Sequence, residues 1–325
     1  MSVIQGCILD FDAATELNTG SWLLSDANSL MYPMPAVDIV TVNYNTGTLL
    51  TECVMSAFSA GALHVIVVDN ASEDGSIEHL EAMVNAPGLI IVRNGQNLGY
   101  STACNIGLKN SSAATVLFLN PDALLCQQAL SSMVTALYSS SDVAMVGGVL
   151  RNLDGSEQAG GRRALPTPAS AFINAFRLSF LSKKIPHLAP DFNLHGEPLP
   201  TGNIKVEAIS GACMLTKREA MTDIGNWDEN YFLHCEDLDL CMRFKQKNWS
   251  ILFVPEASIT HSKGVSSQKR PIFVEWHKHR GMLRFYKKFF RRQYPSLVWY
   301  LVVLSVWGRF FAVSSMIFLR PNRTV

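Results

Sequence analysis

The stretch Thr115-Val116-Leu117-Phe118-Leu119-Asn120-Pro121-Asp122 limits what this chain can fold into more than any other. Its first five residues are apolar or β-branched without a break, the pattern of a strand buried on both faces. The run stops on Asn-Pro-Asp, which is turn chemistry. A buried strand of this kind delivers one carboxylate, Asp122, to the end of a sheet. Ligands of open α/β sheets sit beyond the carboxyl ends of the strands. The competing reading makes Asp122 only the N-cap of a helix starting near Ala123, because Asp is a favoured cap.

The same pattern repeats upstream. Residues 37–42 form a β-branched run closed by Asn43-Tyr44-Asn45, and residues 64–68 form another closed by Asp69-Asn70-Ala71-Ser72. A shorter run covers 89–92. Helical spacing over 48–60, 75–84 and 99–108 separates these runs. Strand and helix alternate, which predicts a doubly wound α/β unit with a mostly parallel sheet and polar strand ends along one edge. Downstream, strands are expected at 143–150, 208–215 and 250–254, the last followed by Ile259-Thr260-His261. A short helix is expected at 217–224. Residues 151–205 are rich in Gly, Pro and Ala and read as a long loop or lid. The expected division is an N-terminal extension at 1–35, a catalytic domain at 36–265 and a helical tail at 266–325.

Acidic residues gather at Asp228, Glu229, Glu236, Asp237 and Asp239. The helical spacing of Leu238, Cys241 and Met242 puts Glu236-Asp237 in the first turn of a helix, where the dipole favours acids. A hard cation such as Mg²⁺ takes carboxylate and phosphate oxygens, and Mn²⁺ also accepts imidazole. Asp122 and His261, with diphosphate oxygens and water, would make such a site, and a carboxylate held off the metal could act as general base. Zinc at His234-Cys235 with Cys241 lacks the usual ligand spacing. Neither G-x-G-x-x-G after a strand nor G-x-x-x-x-G-K-[ST] occurs, which removes the phosphate cradles of dinucleotide oxidoreductases and P-loop NTPases. A formal net charge of +0 gives no case for bulk nucleic-acid binding. Seven cysteines without a C-x-x-C fit reduced thiols better than a disulfide framework.

Taken in order, Val42-Asn43-Tyr44-Asn45, Val67-Val68-Asp69-Asn70-Ala71-Ser72-Glu73-Asp74-Gly75-Ser76, Asn97-Leu98-Gly99-Tyr100, Leu119-Asn120-Pro121-Asp122, Gly211-Ala212, Trp227-Asp228-Glu229, Glu236-Asp237-Leu238-Asp239 and His261 resemble family 2 glycosyltransferases, and among them bacterial rhamnosyltransferase-like members. The resemblance implies a GT-A fold with a Rossmann-like nucleotide-binding half, a nucleotide-sugar donor, Mg²⁺ or Mn²⁺, and inversion at the anomeric carbon. It implies that Asp69 reads the nucleobase, that Asn43 and Asn45 contact the nucleoside, and that Asn97 lies near the ribose and diphosphate. Asp122 matches the last acid of the family's D-x-D, but Asn120-Pro121-Asp122 stands in its place, leaving the metal to Asp122 and His261 with Asn120 beside them. Asp237 matches the base that deprotonates the acceptor, with Glu236 as the next candidate.

Charged residues make up 17%, against about 25% in typical soluble domains, and the tail explains the deficit. A basic, aromatic stretch runs from Trp276-His277-Lys278-His279-Arg280 through Arg284, Lys287-Lys288-Phe289-Phe290 and Arg291-Arg292. The apolar run at 297–319 is long enough to span a bilayer, though Arg309 interrupts it, so an interfacial helix competes with a span. Lys and Arg flanks favour the cytoplasmic side and anionic headgroups. The combined expectation is transfer of rhamnose from dTDP-rhamnose to a lipid-linked glycan of surface polysaccharide or cell wall, at the cytoplasmic face of a bacterial inner membrane. The rivals are another donor sugar (GlcNAc, galactose or galactofuranose) and a catalytically silent membrane scaffold.

Overall fold

The computed structural model describes residues 34–168, 194–262 and 270–319. Of the expected extension at 1–35, residues 1–33 lie outside the described residues, as do 169–193 of the expected lid. The first half runs β1 (Val37–Asn43), α1 (Leu49–Ser59), β2 (His64–Asp69), α2 (Ser76–Met83), β3 (Leu89–Arg93), α3 (Tyr100–Asn110) and β4 (Thr115–Leu119). Its strands are parallel and lie side by side as β3-β2-β1-β4. The ends of β1, β2 and β4 therefore share one edge.

The second half comprises β5 (Ala123–Leu124), α4 (Gln127–Leu137), β6 (Val143–Arg151), β7 (Arg162–Arg163), β8 (Ile204–Lys205), β9 (Ala208–Ile209), β10 (Cys213–Lys217), α5 (Arg218–Asp223), α6 (Glu236–Gln246) and β11 (Ser250–His261). The sheet continues from β4 as β10-β6-β11-β5, with β8 also on β11. Here β10 is antiparallel to β4 and β6, while β6 and β11 are parallel.

Three local expectations change. Residues 208–215 are not one strand: β9 pairs with β7, and Ser210-Gly211-Ala212 turn the chain before β10 begins. The run at 250–254 and the segment ending at His261 are one strand, bent by a register shift between Val254 and Ser258. Asp122 does not cap a helix. The chain stays extended after it because Ala123 and Leu124 pair with His261 and Thr260, and the helix waits until Gln127.

Strand alternation explains the two-sided core. Val116 and Phe118 enter one apolar cluster with α3 and α6, while Leu117 and Leu119 enter the other with α1 and α4. Burying each such side chain contributes about 1.5–3 kcal/mol. Phe118 also meets the buried Trp227 edge-on at 5.1 Å.

The chain closes with α7 (Pro271–Phe289) and α8 (Ser296–Leu319). Phe285, Tyr286 and Phe289 seat α7 on the α3 and α6 side of the sheet. The next helix, α8, folds back along α7, where Trp276 meets Trp307 at 5.1 Å and Phe310 at 5.7 Å. Most of α8 is uncovered: Val306 and Phe310 are buried, whereas Leu297, Tyr300, Leu304, Phe311 and Phe318 are exposed.

The bend in β11 brings the Ala257 carbonyl over Gly148, and a Cβ there would stand 2.2 Å from that oxygen. Gly148→Ala is expected to destabilise the protein by about 1–3 kcal/mol in urea unfolding. Gly95→Ala, where a Cβ meets nothing within 4 Å, should change stability by less than about 0.5 kcal/mol.

Candidate active site

Three groups of polar residues line the edge where β1, β2 and β4 end. At the end of β2, Asp69 is held in place: Asn43 Nδ2 donates to its Oδ1 at 2.9 Å, Ser72 Oγ donates to the same oxygen at 2.6 Å, and the Ser72 N–H donates to Oδ2 at 3.1 Å. Asn43 is fully buried and also binds Ser72, Ser76 and Thr46. Its amide is spent inside the protein, on Asp69 and its neighbours, and is not free to contact a nucleoside directly. Asn45 has a positive φ of 54° and its Oδ1 accepts from the Glu73 N–H. Asn97 accepts from the Gly99 N–H at 3.0 Å and shapes the entry to α3.

The second group lies two strands away, about 10 Å across the sheet. Asp122 Oδ1 is 3.1 Å from His261 Nε2, and the Asn120 amide nitrogen is 3.3 Å from the same ring atom. The pairing of β5 with β11 makes this contact, because it puts the residue before β5 beside the last residue of β11. The Ser262 N–H, donating to the Asp122 carbonyl at 2.9 Å, fixes the approach. Both side chains are largely buried, at 7% and 10% exposure. Two ligands at neighbouring corners of an octahedral ion, each at about 2.1 Å, stand about 3.0 Å apart. The observed spacing fits that geometry. Among the described residues no three His, Cys, Asp or Glu side chains form a group that could hold a metal ion, zinc at His234, Cys235 and Cys241 included. A cation held here would therefore take its remaining ligands from phosphate and water.

The third group opens α6. His234 and Cys235 both have positive φ, 68° and 70°, a conformation that costs energy for residues with a Cβ. Neighbours hold them there. The Phe232 carbonyl accepts from the Tyr100 N–H at 2.8 Å, and Gly281 of α7 lets that helix approach the His234 carbonyl. The tight turn aims Glu236 and Asp237 in different directions. Asp237 Oδ2 accepts from Arg163 Nη2 and from the Gly211 N–H, and Oδ1 accepts from the Leu238 N–H at 2.8 Å. Burial alone would raise the Asp237 pKa, but the Arg163 charge and these donors bring it below the usual value. Glu236 is less well compensated: its Oε2 is buried with no partner, and burial followed by the charge on Asp237 outweighs a backbone hydrogen bond and the Arg163 charge, pushing its pKa up to about 8. The two acids are thus driven in opposite directions, Asp237 toward the ionised form and Glu236 toward the protonated one.

The segment Gly211-Ala212 joins the second and third groups. Gly211 N–H binds Asp237, and the Ala212 carbonyl accepts from the Asn120 N–H at 2.9 Å. Asp122, His261 and Asn120 come into direct contact, as do Asn43 and Asp69, while Asn45 and Asn97 shape the loops beside them. Two residues escaped the sequence reading, Gln158 and Arg163. Both belong to the 151–205 segment, where no periodic run marked them.

The model of glycosyltransferase-like family 2 matches residues 35–281, which span all three groups. The chain belongs to that family. This family 2 glycosyltransferase is 27% identical over 246 residues, 72% of its own length and 78% of the relative's, to an N-acetylglucosaminyl-diphospho-decaprenol L-rhamnosyltransferase of Mycobacterium tuberculosis (strain ATCC 25618 / H37Rv). It is 26% identical over 146 residues to rhamnosyltransferase WbbL of Escherichia coli (strain K12), covering 45% of this chain and 51% of that one. Among solved structures it resembles a mannosyltransferase of Pyrobaculum calidifontis in complex with GDP-Man and Mn²⁺, with TM-score 0.53, 14% identity, and coverage of 86% of this chain and 75% of that one. It also resembles GalNAc-T7 with UDP, GalNAc and Mn²⁺, with TM-score 0.54, 16% identity, and coverage of 71% and 44%. The fold is the α/β GT-A fold, carrying a C-terminal helix long and apolar enough to cross a membrane.

The raised pKa of Glu236 in this glycosyltransferase has a consequence for stability. Between its unfolded value of 4.5 and about 8, the folded protein holds a proton that the unfolded chain has lost. The contribution is full below pH 4.5 and disappears as the pH rises through 8. Glu236→Gln, which mimics the protonated form, should gain roughly 1–2 kcal/mol relative to the parent between pH 6 and pH 8 in urea unfolding. Parallel pH profiles for the two proteins would contradict the assignment.

Proposed function

We propose that the enzyme transfers rhamnose from dTDP-rhamnose, with inversion and with a divalent cation, to a lipid-linked glycan on the cytoplasmic face of a bacterial inner membrane. The observation that carries the reading is the 3.1 Å pairing of Asp122 with His261, on the same sheet edge as the carboxylates of Asp69 and Asp237. The mycobacterial relative's name supports rhamnose and a diphospho-lipid acceptor, and the Mn²⁺ in both structural neighbours supports a cation.

In this proposal Asp69 accepts from the nucleobase, oriented by Asn43, while Asn45 and Asn97 shape the loops around ribose and diphosphate. Asp122 and His261 hold Mg²⁺ or Mn²⁺, with Asn120 beside them. When bound, the cation stabilises negative charge on the departing nucleoside diphosphate. Asp237 is the general base. Its carboxylate takes the proton of the acceptor hydroxyl as that oxygen bonds to the anomeric carbon, and the bond from that carbon to the diphosphate breaks on the opposite face. A single displacement inverts the centre. Arg163 keeps Asp237 ionised, and Glu236, carrying its proton, does not compete as base.

We place α8 in the membrane interface. In the apolar window of this helix only 11% is buried, so it is not a core helix. Arg309 is exposed within it, and α8 lies along α7, which is pinned to the catalytic domain. The basic helix splits into two sets. Arg284 and Lys288 face inward, Arg284 to Asp228 and Lys288 to both Asp228 and Asp239, so they do not serve lipid. Arg280, Lys287 and Arg292 are exposed and remain for anionic headgroups.

Nucleoside diphosphate release by the purified full chain tests the reaction, with a lipid-linked acceptor and a panel of dTDP-rhamnose, UDP-GlcNAc, UDP-galactose and UDP-galactofuranose. Release should be greatest from dTDP-rhamnose, stop with a chelator, and fall about 10²–10⁴-fold in Asp237→Asn. Full turnover in that variant removes Asp237 as the base, and preference for another donor replaces the sugar. Membrane attachment is tested by sedimentation with vesicles containing anionic lipid. The Leu304→Glu, Phe311→Glu double variant should stay in the supernatant, and undiminished binding would contradict the interfacial placement.

A further inference from the structure

Gln158 touches neither Asp122 nor Asn120, yet it controls what His261 presents to them. The Gln158 side chain is buried at 4% exposure. Its Nε2 donates to the His261 carbonyl at 3.2 Å and to Asn152 Oδ1 at 3.0 Å. A backbone carbonyl can only accept, so the direction of the Gln158 amide is fixed. Its Oε1 therefore faces His261 Nδ1, 2.7 Å away. An amide oxygen can only accept, which requires a proton on Nδ1. On the other side of the ring, the Asn120 amide nitrogen can only donate, and it is 3.3 Å from Nε2. Two neighbours on opposite sides of the imidazole demand the same tautomer.

Asp122 alone would prefer the other one. A neutral ring with its proton on Nε2 would hydrogen-bond to Asp122 Oδ1 across 3.1 Å and close the pair on itself. We infer that Gln158 is a positioning residue that locks His261 in the Nδ1–H tautomer, leaving the Nε2 lone pair beside the Asp122 carboxylate as a ready-made two-ligand cation site. The inference rests on the proposed metal-binding role of Asp122 and His261, but the tautomer itself is a property of the metal-free protein. Two facing lone-pair atoms repel, and a cation relieves that repulsion; the site is built to favour occupancy. Fixing the tautomer and ring orientation of a ligating histidine from behind typically changes metal affinity 10–100-fold.

The test is nitrogen NMR of the metal-free full chain carrying ¹⁵N-labelled histidine, with the His261 signals assigned as those lost in His261→Gln. The neutral wild-type ring, reached by raising the pH until the signals stop moving, should show a protonated Nδ1 and an unprotonated Nε2. Gln158→Leu should move the proton to Nε2 and weaken Mn²⁺ binding, followed by electron paramagnetic resonance with the metal alone, by 10–100-fold. A neutral wild-type ring with its proton on Nε2 overturns the inference and needs no variant to fold. So does a Gln158→Leu protein that keeps both the wild-type tautomer and the wild-type affinity. If instead Asp122→Ala binds Mn²⁺ as the wild type does, the metal role of this pair fails while the tautomer result stands.

Discussion

The geometry of the candidate site turns on one contact between residues 139 positions apart, Asp122 with His261. Neither side chain could hold the other in water, where such a pair has little net worth. The sheet brings them together. Strand β4 ends at Leu119, the Asn-Pro-Asp turn crosses its edge, and the two residues of β5 pair with the end of β11. That short pairing closes the far side of the sheet and sets the ring against the carboxylate. The same turn places the Asn120 N–H on the Ala212 carbonyl, which ties the pair to the segment under Asp237.

A second constraint holds the acid pair. The residues before α6 sit in a strained left-handed conformation, and α7 keeps them there. Lys288 bridges the fully buried Asp239 at 2.6 Å and Asp228 at 2.8 Å, Arg284 joins Asp228, and Arg243 completes Asp239. Removing one partner from a buried pair costs about 3–5 kcal/mol, because it strands a charge. Helix α7 is therefore bound to α6 by charge and to Phe232 by ring contacts, with His277 stacked on Phe232 at 4.3 Å. The hairpin that carries the exposed apolar helix α8 is also the wall behind the proposed base. The placement of α8 and the geometry of Glu236-Asp237 share one set of contacts.

Much of this was legible in the residues. Unbroken β-branched runs gave the strands, because both faces of a central strand must be apolar, and the polar residues after each run marked the working edge. Asp122, the Glu236-Asp237 pair and His261 stand out because each follows a strand or opens a helix, while Asp69, and Asp237 over Glu236, are singled out only by the family resemblance. The limits were equally physical. Periodicity cannot separate a capping Asp from one leading into a two-residue strand, since β5 is too short to carry a pattern. Ser210-Gly211-Ala212 is apolar enough to continue a strand, and only its pairing partners break it. Gln158 and Arg163 lie in a segment without regular spacing, and their importance comes from what they touch across 103 and 74 positions. Charge runs mislead for the same reason: Arg284 and Lys287 read alike in sequence, but one is turned to the half-buried Asp228 and the other to solvent.

The most direct measurement is crystallographic: Mn²⁺ soaked with a nucleoside diphosphate and located by its anomalous scattering. The account predicts one peak at the edge of the sheet, bonded to both Asp122 Oδ1 and His261 Nε2. A peak elsewhere, bonded to neither Asp122 nor His261, would contradict it.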